Sequence, residues 1–167
     1  GADGYFQPLT VTTGAEMGPE NRLAVENRAG AEEFEAGKNW TPINFSSNGE
    51  VSGPVVFAGY GISASEFDYD DYFHFDVRDK IVVVLRYEPK TFEKGDQVGG
   101  RRRYTHHANL TSKAIAARNR GAKAVLLVNG ARPDGGEDRL IKFGSTPGPA
   151  DAGIPMVQVA NSVVEGW

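Results

Sequence analysis

Between residues 80 and 128 the chain spells out a strand, a helix and a strand. Lys80-Ile81-Val82-Val83-Val84-Leu85-Arg86 holds five consecutive apolar residues, four of them β-branched, and Ala124-Val125-Leu126-Leu127-Val128 is a second unbroken run. Strands that are apolar at every position, and not only at alternate ones, are buried on both faces, as in parallel sheets. Residues 108–120 follow a helical period instead, with Leu110, Ala114, Ala117 and Gly121 spaced four, three and four apart. Thr105 or Asn109 can cap its start, and Gly121 is placed to supply the left-handed residue that ends many helices. Two strands joined by a crossover helix in one sheet run parallel, with a right-handed connection. The rest of the chain must be arranged around this βαβ unit.

Pro54-Val55-Val56-Phe57-Ala58, halted by Gly59-Tyr60-Gly61, and Pro155-Met156-Val157-Gln158-Val159 supply two more short apolar runs. Before residue 50, turn signals at Gly14, Gly18-Pro19, Gly30, Gly37 and Asn48-Gly49 break the chain into short pieces. Strands at residues 6–12 and 22–27, paired as antiparallel hairpins, are expected there. The expected architecture is α/β, with a small central sheet or open barrel carrying the helix. Residues 1–52 form a flanking segment with hairpins, and 53–167 the core. Two long connections, 87–107 and 129–153, leave the C-terminal ends of the parallel strands. Loops of that length tend to be functional, and open α/β sheets bind ligands at that end.

Composition narrows the function classes. Eighteen basic against twenty-two acidic side chains give a net charge of −4, which argues against a nucleic-acid surface. No cysteine is present, so disulfides, thiolate chemistry and cysteine-ligated zinc are excluded together. No apolar run reaches the length of a membrane span, and residues 1–5 show neither a basic n-region nor an apolar stretch of a signal peptide. Gly1 replaces a starting Met, and Asn161–Trp167 opens like a capped helix and stops within about two turns, so a fragment of a longer protein is expected.

Four stretches taken in order make a pattern. They are residues 53–62 (GPVVFAGYGI), 69–72 (YDDY), 76–85 (DVRDKIVVVL) and 113–128 (KAIAARNRGAKAVLLV), with Ile154-Pro155-Met156-Val157 closing it. Their order and spacing resemble the protease-associated (PA) domain inserted in zinc aminopeptidases of peptidase family M-28, and in their relatives glutamate carboxypeptidase II and the transferrin receptor. The resemblance implies a β-sandwich or barrel with a βαβ core and few flanking helices. It also implies a non-catalytic role beside a peptidase domain that holds two zinc ions, and export to the periplasm or beyond the cell. The implied partners are that peptidase domain and its peptide substrate. No cofactor is expected in this segment, and no catalytic or metal-binding residue is carried over from the family.

Several motifs invite stronger readings. His74-Phe75-Asp76 matches the His-x-Asp that opens the zinc set of such peptidases, but the only Glu-Glu pair, Glu32-Glu33, lies upstream, where downstream ligands are required. A surface turn is the expectation. Gly59-Tyr60-Gly61-Ile62-Ser63-Ala64 fits a dinucleotide fingerprint in letters, yet Glu66, Asp68, Asp70 and Asp71 follow where a helix should open onto phosphate. The glycines are expected to serve a tight turn. Asp68, Asp70 and Asp71 complete no calcium loop and are expected in capping and turns.

Arg101, Arg102, Arg103, Tyr104, His106 and His107 are the candidate contact residues for substrate or partner. Guanidinium groups offer bidentate donors to a carboxylate or phosphate. The alternative is a solvated basic loop offset by Glu93 and Asp96. Neighbouring side chains usually diverge, so His106 and His107 are not expected to share a metal. No Gly-x-Ser-x-Gly elbow occurs, and three histidines offer little material for a triad.

Overall fold

The computed structural model describes residues 16–27, 30–92, 104–131, 136–165 and 167. Its centre is a five-stranded sheet in the order β3–β9–β8–β7–β4. These strands are β3 (Trp40–Pro42), β4 (Val55–Phe57), β7 (Ile81–Leu85), β8 (Ala124–Val128) and β9 (Met156–Val159). β4, β7, β8 and β9 run parallel, and β3 closes one edge antiparallel to β9. Thus the segment before residue 53 supplies a strand to the central sheet. Pro42 sits on that edge, where its missing N–H costs no ladder bond.

The side-chain period of two divides each strand between two cores. Val82, Val84, Val125, Leu127 and Met156 face one side, with Ala114, Ala117 and Leu110 of helix α1 (Leu110–Asn119) packed on them. Val83, Leu126, Val128 and Val159 face the other, where they meet Trp40, Val163 and the partly buried Leu23 and Phe34. Leu23 and Phe34 belong to the hairpin of β1 (Leu23–Asn27) and β2 (Gly30–Phe34). The expected strand at 22–27 is therefore present, while that at 6–12 lies outside the described residues.

Helix α1 ends as its glycine predicts. Gly121 sits at φ +80°, its N–H donates to the Arg118 carbonyl, and the Ala122 N–H donates to that of Ala117. This pair of bonds is a Schellman motif, which satisfies carbonyls that the helix leaves over. At the other end Asn109 occupies the cap position without a side-chain cap bond. Thr105 caps instead the short 3-10 turn His106–Ala108 just before it, accepting from the His107 N–H. The fold class is α/β with a parallel βαβ core and few helices, as expected. Between β4 and β7 lies a two-stranded excursion, β5 (Ser63–Ala64) and β6 (Tyr69–Asp70), joined by the 3-10 turn Ser65–Phe67.

Candidate functional site

The turn after β4 is where the fingerprint-like glycines lie, at φ +51° for Gly59 and +65° for Gly61. Left-handed backbone at both points aims successive N–H groups into one concavity, which is how a nest holds an anion. The anion here is the chain's own. The Asp71 carboxylate accepts from the Tyr60 and Ile62 N–H groups, each at 3.0 Å, and from the Tyr69 hydroxyl at 2.6 Å. Asp68 takes a left-handed conformation at the end of a 3-10 turn, and Asp70 accepts from the Tyr72 N–H and pairs with Arg120 at 3.4 Å. Turn formation accounts for this acidic cluster.

His74-Phe75-Asp76 is exposed and follows a turn. Asp76 turns away to Arg78, whose hydrogen bonds hold its carboxyl well below the usual carboxylate range. His74 instead lies edge-on to Phe73, ring centroids 4.7 Å apart. No zinc-type pair forms there.

The β5–β6 hairpin and the segments flanking the 87–107 connection meet over a small aromatic core. Phe67 stacks on Phe92 with centroids 4.2 Å apart, and Tyr69 packs edge-on to the same ring. His107 meets both phenylalanines edge-on and brings its Nε2 to 2.7 Å from Glu66 Oε1. The hydrogen bond from His107 holds the Glu66 carboxyl below its ordinary range. His106 does not diverge from its neighbour as expected: the two ring centroids are 3.9 Å apart. Adjacency on a tight turn, with one ring clamped by Phe67 and Phe92, folds both imidazoles toward Glu66.

At the C-terminal end of β7, Tyr104 stacks on Tyr87 with centroids 5.1 Å apart, and Arg86 lies 5.1 Å over the Tyr87 ring. Beneath them Glu88 is buried and its carboxylate accepts from the Thr105 N–H at 3.0 Å and from the Thr105 hydroxyl. Tyr104 therefore stacks with Tyr87 beside the Arg86 guanidinium, while His106 and His107, two and three residues further on, turn to Glu66. Arg101, Arg102 and Arg103 lie outside the described residues. In the sequence Glu66 stood out only as one of the acidic residues after the glycine turn, and Arg86, Tyr87 and Glu88 were not singled out.

A second feature is an apolar groove on the sheet face opposite α1. It is lined by Val55, Phe57, Ile81, Leu85, Val164 and Trp167, with Phe57 57% exposed.

No curated protein matches the chain. Thirteen chains of solved structure do. One is an aminopeptidase from Aneurinibacillus sp. strain AM-1, with a TM-score of 0.52 and 17% identity, over 93% of this chain and 27% of that one. The likeness is one of fold, and this chain spans about a quarter of that protein's length. A family model described as the PA domain matches residues 51–167, well over half of the chain. The parallel βαβ core, the helix on one face and this match agree: the chain belongs to the PA domain family.

Proposed function

We propose that this PA domain is the non-catalytic accessory domain of a zinc-dependent aminopeptidase of family M-28. In that setting it packs beside the catalytic domain, narrows access to the cleft and takes part in recognising peptide substrate or a protein partner. The zinc ions and the general base belong to the catalytic domain, and the parent is exported to the periplasm or outside the cell. One observation carries this reading: 93% of the chain shares its fold with only 27% of an aminopeptidase chain. The contact residues of this reading are Tyr87, Tyr104, His106 and His107, together with Arg101, Arg102 and Arg103, which precede Tyr104 in sequence. Binding surfaces of this kind raise specificity without supplying chemistry.

The test has two arms. The isolated chain is assayed with leucine anilide and zinc, where turnover would overturn the reading. In the full-length parent, Tyr104→Ala combined with alanine at Arg101, Arg102 and Arg103 is assayed on substrates of increasing length. KM for longer peptides should rise several-fold while kcat on the anilide holds. Unchanged kinetics on every substrate would sink the proposed contact surface.

The apolar groove favours a second reading, an independent module for peptides, glycans or another protein. That reading requires apolar peptides to bind the isolated chain and the full-length parent equally well, as a tryptophan-fluorescence titration would show.

A further inference from the structure

Glu66, His106 and His107 each bring one ligand atom, a carboxylate oxygen or a ring nitrogen, within 4.8 Å of the others. Glu66 comes from the turn between β5 and β6, and the histidines from the turn that leads into α1. We propose that these three side chains bind one divalent ion of the zinc class, which fastens the β5–β6 hairpin to the start of α1.

The donor set selects the ion. Two imidazoles and one carboxylate suit Zn2+, Co2+, Ni2+ or Cu2+, whereas Ca2+ and Mg2+ require shells made mostly of oxygen. Zinc bound at about 2.0–2.2 Å holds its tetrahedral ligands roughly 3.3–3.5 Å from one another. His107 Nε2 and Glu66 Oε1, now 2.7 Å apart, would open by under about an ångström as the ion replaces the proton between them. The other pairs, all within 4.8 Å, would close by no more than about 1.5 Å. Three protein ligands leave a position for water, and Glu66 is half exposed, so an ion has a path in.

The supports of the cluster are already in place. His107 packs in T-shaped contact with Phe67 and Phe92, and its backbone N–H donates to the Thr105 hydroxyl. Thr105 is fixed in turn by the buried Glu88 carboxylate. The His106 carbonyl accepts from the Ser112 hydroxyl and from the Asn109 N–H, which sets the turn on which both rings stand. On the opposite side, the Asp68 N–H closes the turn that presents Glu66. Supports of this kind orient metal ligands and lower the ordering cost of binding. A simple ion pair would need only His107 and Glu66. It gives no reason for a second imidazole 3.9 Å away.

The proposal stands whether or not the chain serves a peptidase, because its readout is metal binding and not turnover. Metal-freed chain is titrated with zinc sulfate by calorimetry, and cobalt(II) absorption reports the coordination geometry. Glu66→Gln, His106→Gln and His107→Gln are compared with His74→Gln as the control. The expected result is one zinc per chain for the parent sequence and His74→Gln. Losing any one of the three ligands should weaken binding at least about tenfold, since even supporting residues cost that much. Zinc should also raise the melting temperature of the parent sequence, as a ligand of the folded state must. His107 is packed in the aromatic core, so His107→Gln is expected to lower stability by itself; exposed His106 is therefore the deciding position. No saturable zinc binding, binding untouched by His106→Gln, or binding lost in His74→Gln would each overturn the site.

Discussion

The Asp71 carboxylate fills the space that a side chain on Gly59 would need: a Cβ built there lies 2.8 Å from Asp71 Cγ. Gly59 also sits at φ +51°, so the residue has two separate reasons to be glycine. Gly59→Ala should cost roughly 2–3 kcal/mol, combining left-handed strain with the clash. In an Asp71→Ala background the clash is absent and only about 1 kcal/mol of backbone strain should remain. Urea denaturation of the four chains measures this coupling, and additive effects would show that the two residues do not meet.

Asp71→Asn tests the nest electrostatically. The carboxylate accepts from two backbone N–H groups and a tyrosine hydroxyl, and an amide can offer only one oxygen while turning an NH2 toward the remaining donor. Hydrogen bonds to a charged acceptor are worth about 1.5–3 kcal/mol, so a loss of that size is expected at pH 7. A loss under about 0.5 kcal/mol, the scale of an ordinary surface change, would mean the turn holds its shape without the charge.

The contrast between this turn and the histidine cluster shows what the sequence could carry. Unbroken apolar runs at 81–85 and 124–128 dictated burial on two faces, and Gly121 announced the end of α1, because each signal acts within a few residues. The three-residue β3 gave no comparable signal: Trp40-Thr41-Pro42 has no alternation to read, and pairing with Val157–Val159 makes it a strand. The nest was half legible. Its glycines marked a turn and the acidic residues ruled out phosphate, but nothing in the sequence showed that Asp71 fills the place of the anion. His106 and His107 were misread as divergent because their placement depends on Glu66, forty-one positions earlier than His107, and on Phe67 and Phe92. Contacts of that separation leave no local period.

Gln158 ties the 129–153 connection to the sheet. Fully buried on β9, it accepts from the Ile141 N–H at 2.6 Å and donates to Asn129 Oδ1 at 3.1 Å. Gln158→Leu keeps comparable bulk but leaves both partners short of a bond. The expected loss is about 1–3 kcal/mol, the cost of stranding buried polar groups. Limited proteolysis should then cut within residues 129–153 faster than in the parent sequence, at equal fractions folded. An unchanged cleavage pattern would assign the anchoring of this connection to other contacts.

Lys113 carries the sharpest pH prediction. It is 1% exposed on α1, and its ammonium donates to the Tyr60 carbonyl at 2.5 Å. Burial pulls its pKa down to about 7, against the opposing pull of the Asp71 and Glu88 charges. An unfolded chain returns it to about 10.4. Between those two values the unfolded chain holds a proton that the folded chain has released, so raising the pH favours the folded state. Below pH 7 both states are charged and the penalty for burying the ammonium is constant. Above about pH 10.4 both are neutral and the penalty is gone. Lys113→Met removes the titration while keeping an unbranched apolar stem. The stability of the parent sequence relative to Lys113→Met should therefore climb between pH 7 and 10, by up to ~4 kcal/mol. Urea denaturation of both chains across that window measures the climb. A flat difference would mean that Lys113 keeps its proton inside the fold, with Asp71 and Glu88 outweighing the cost of burial.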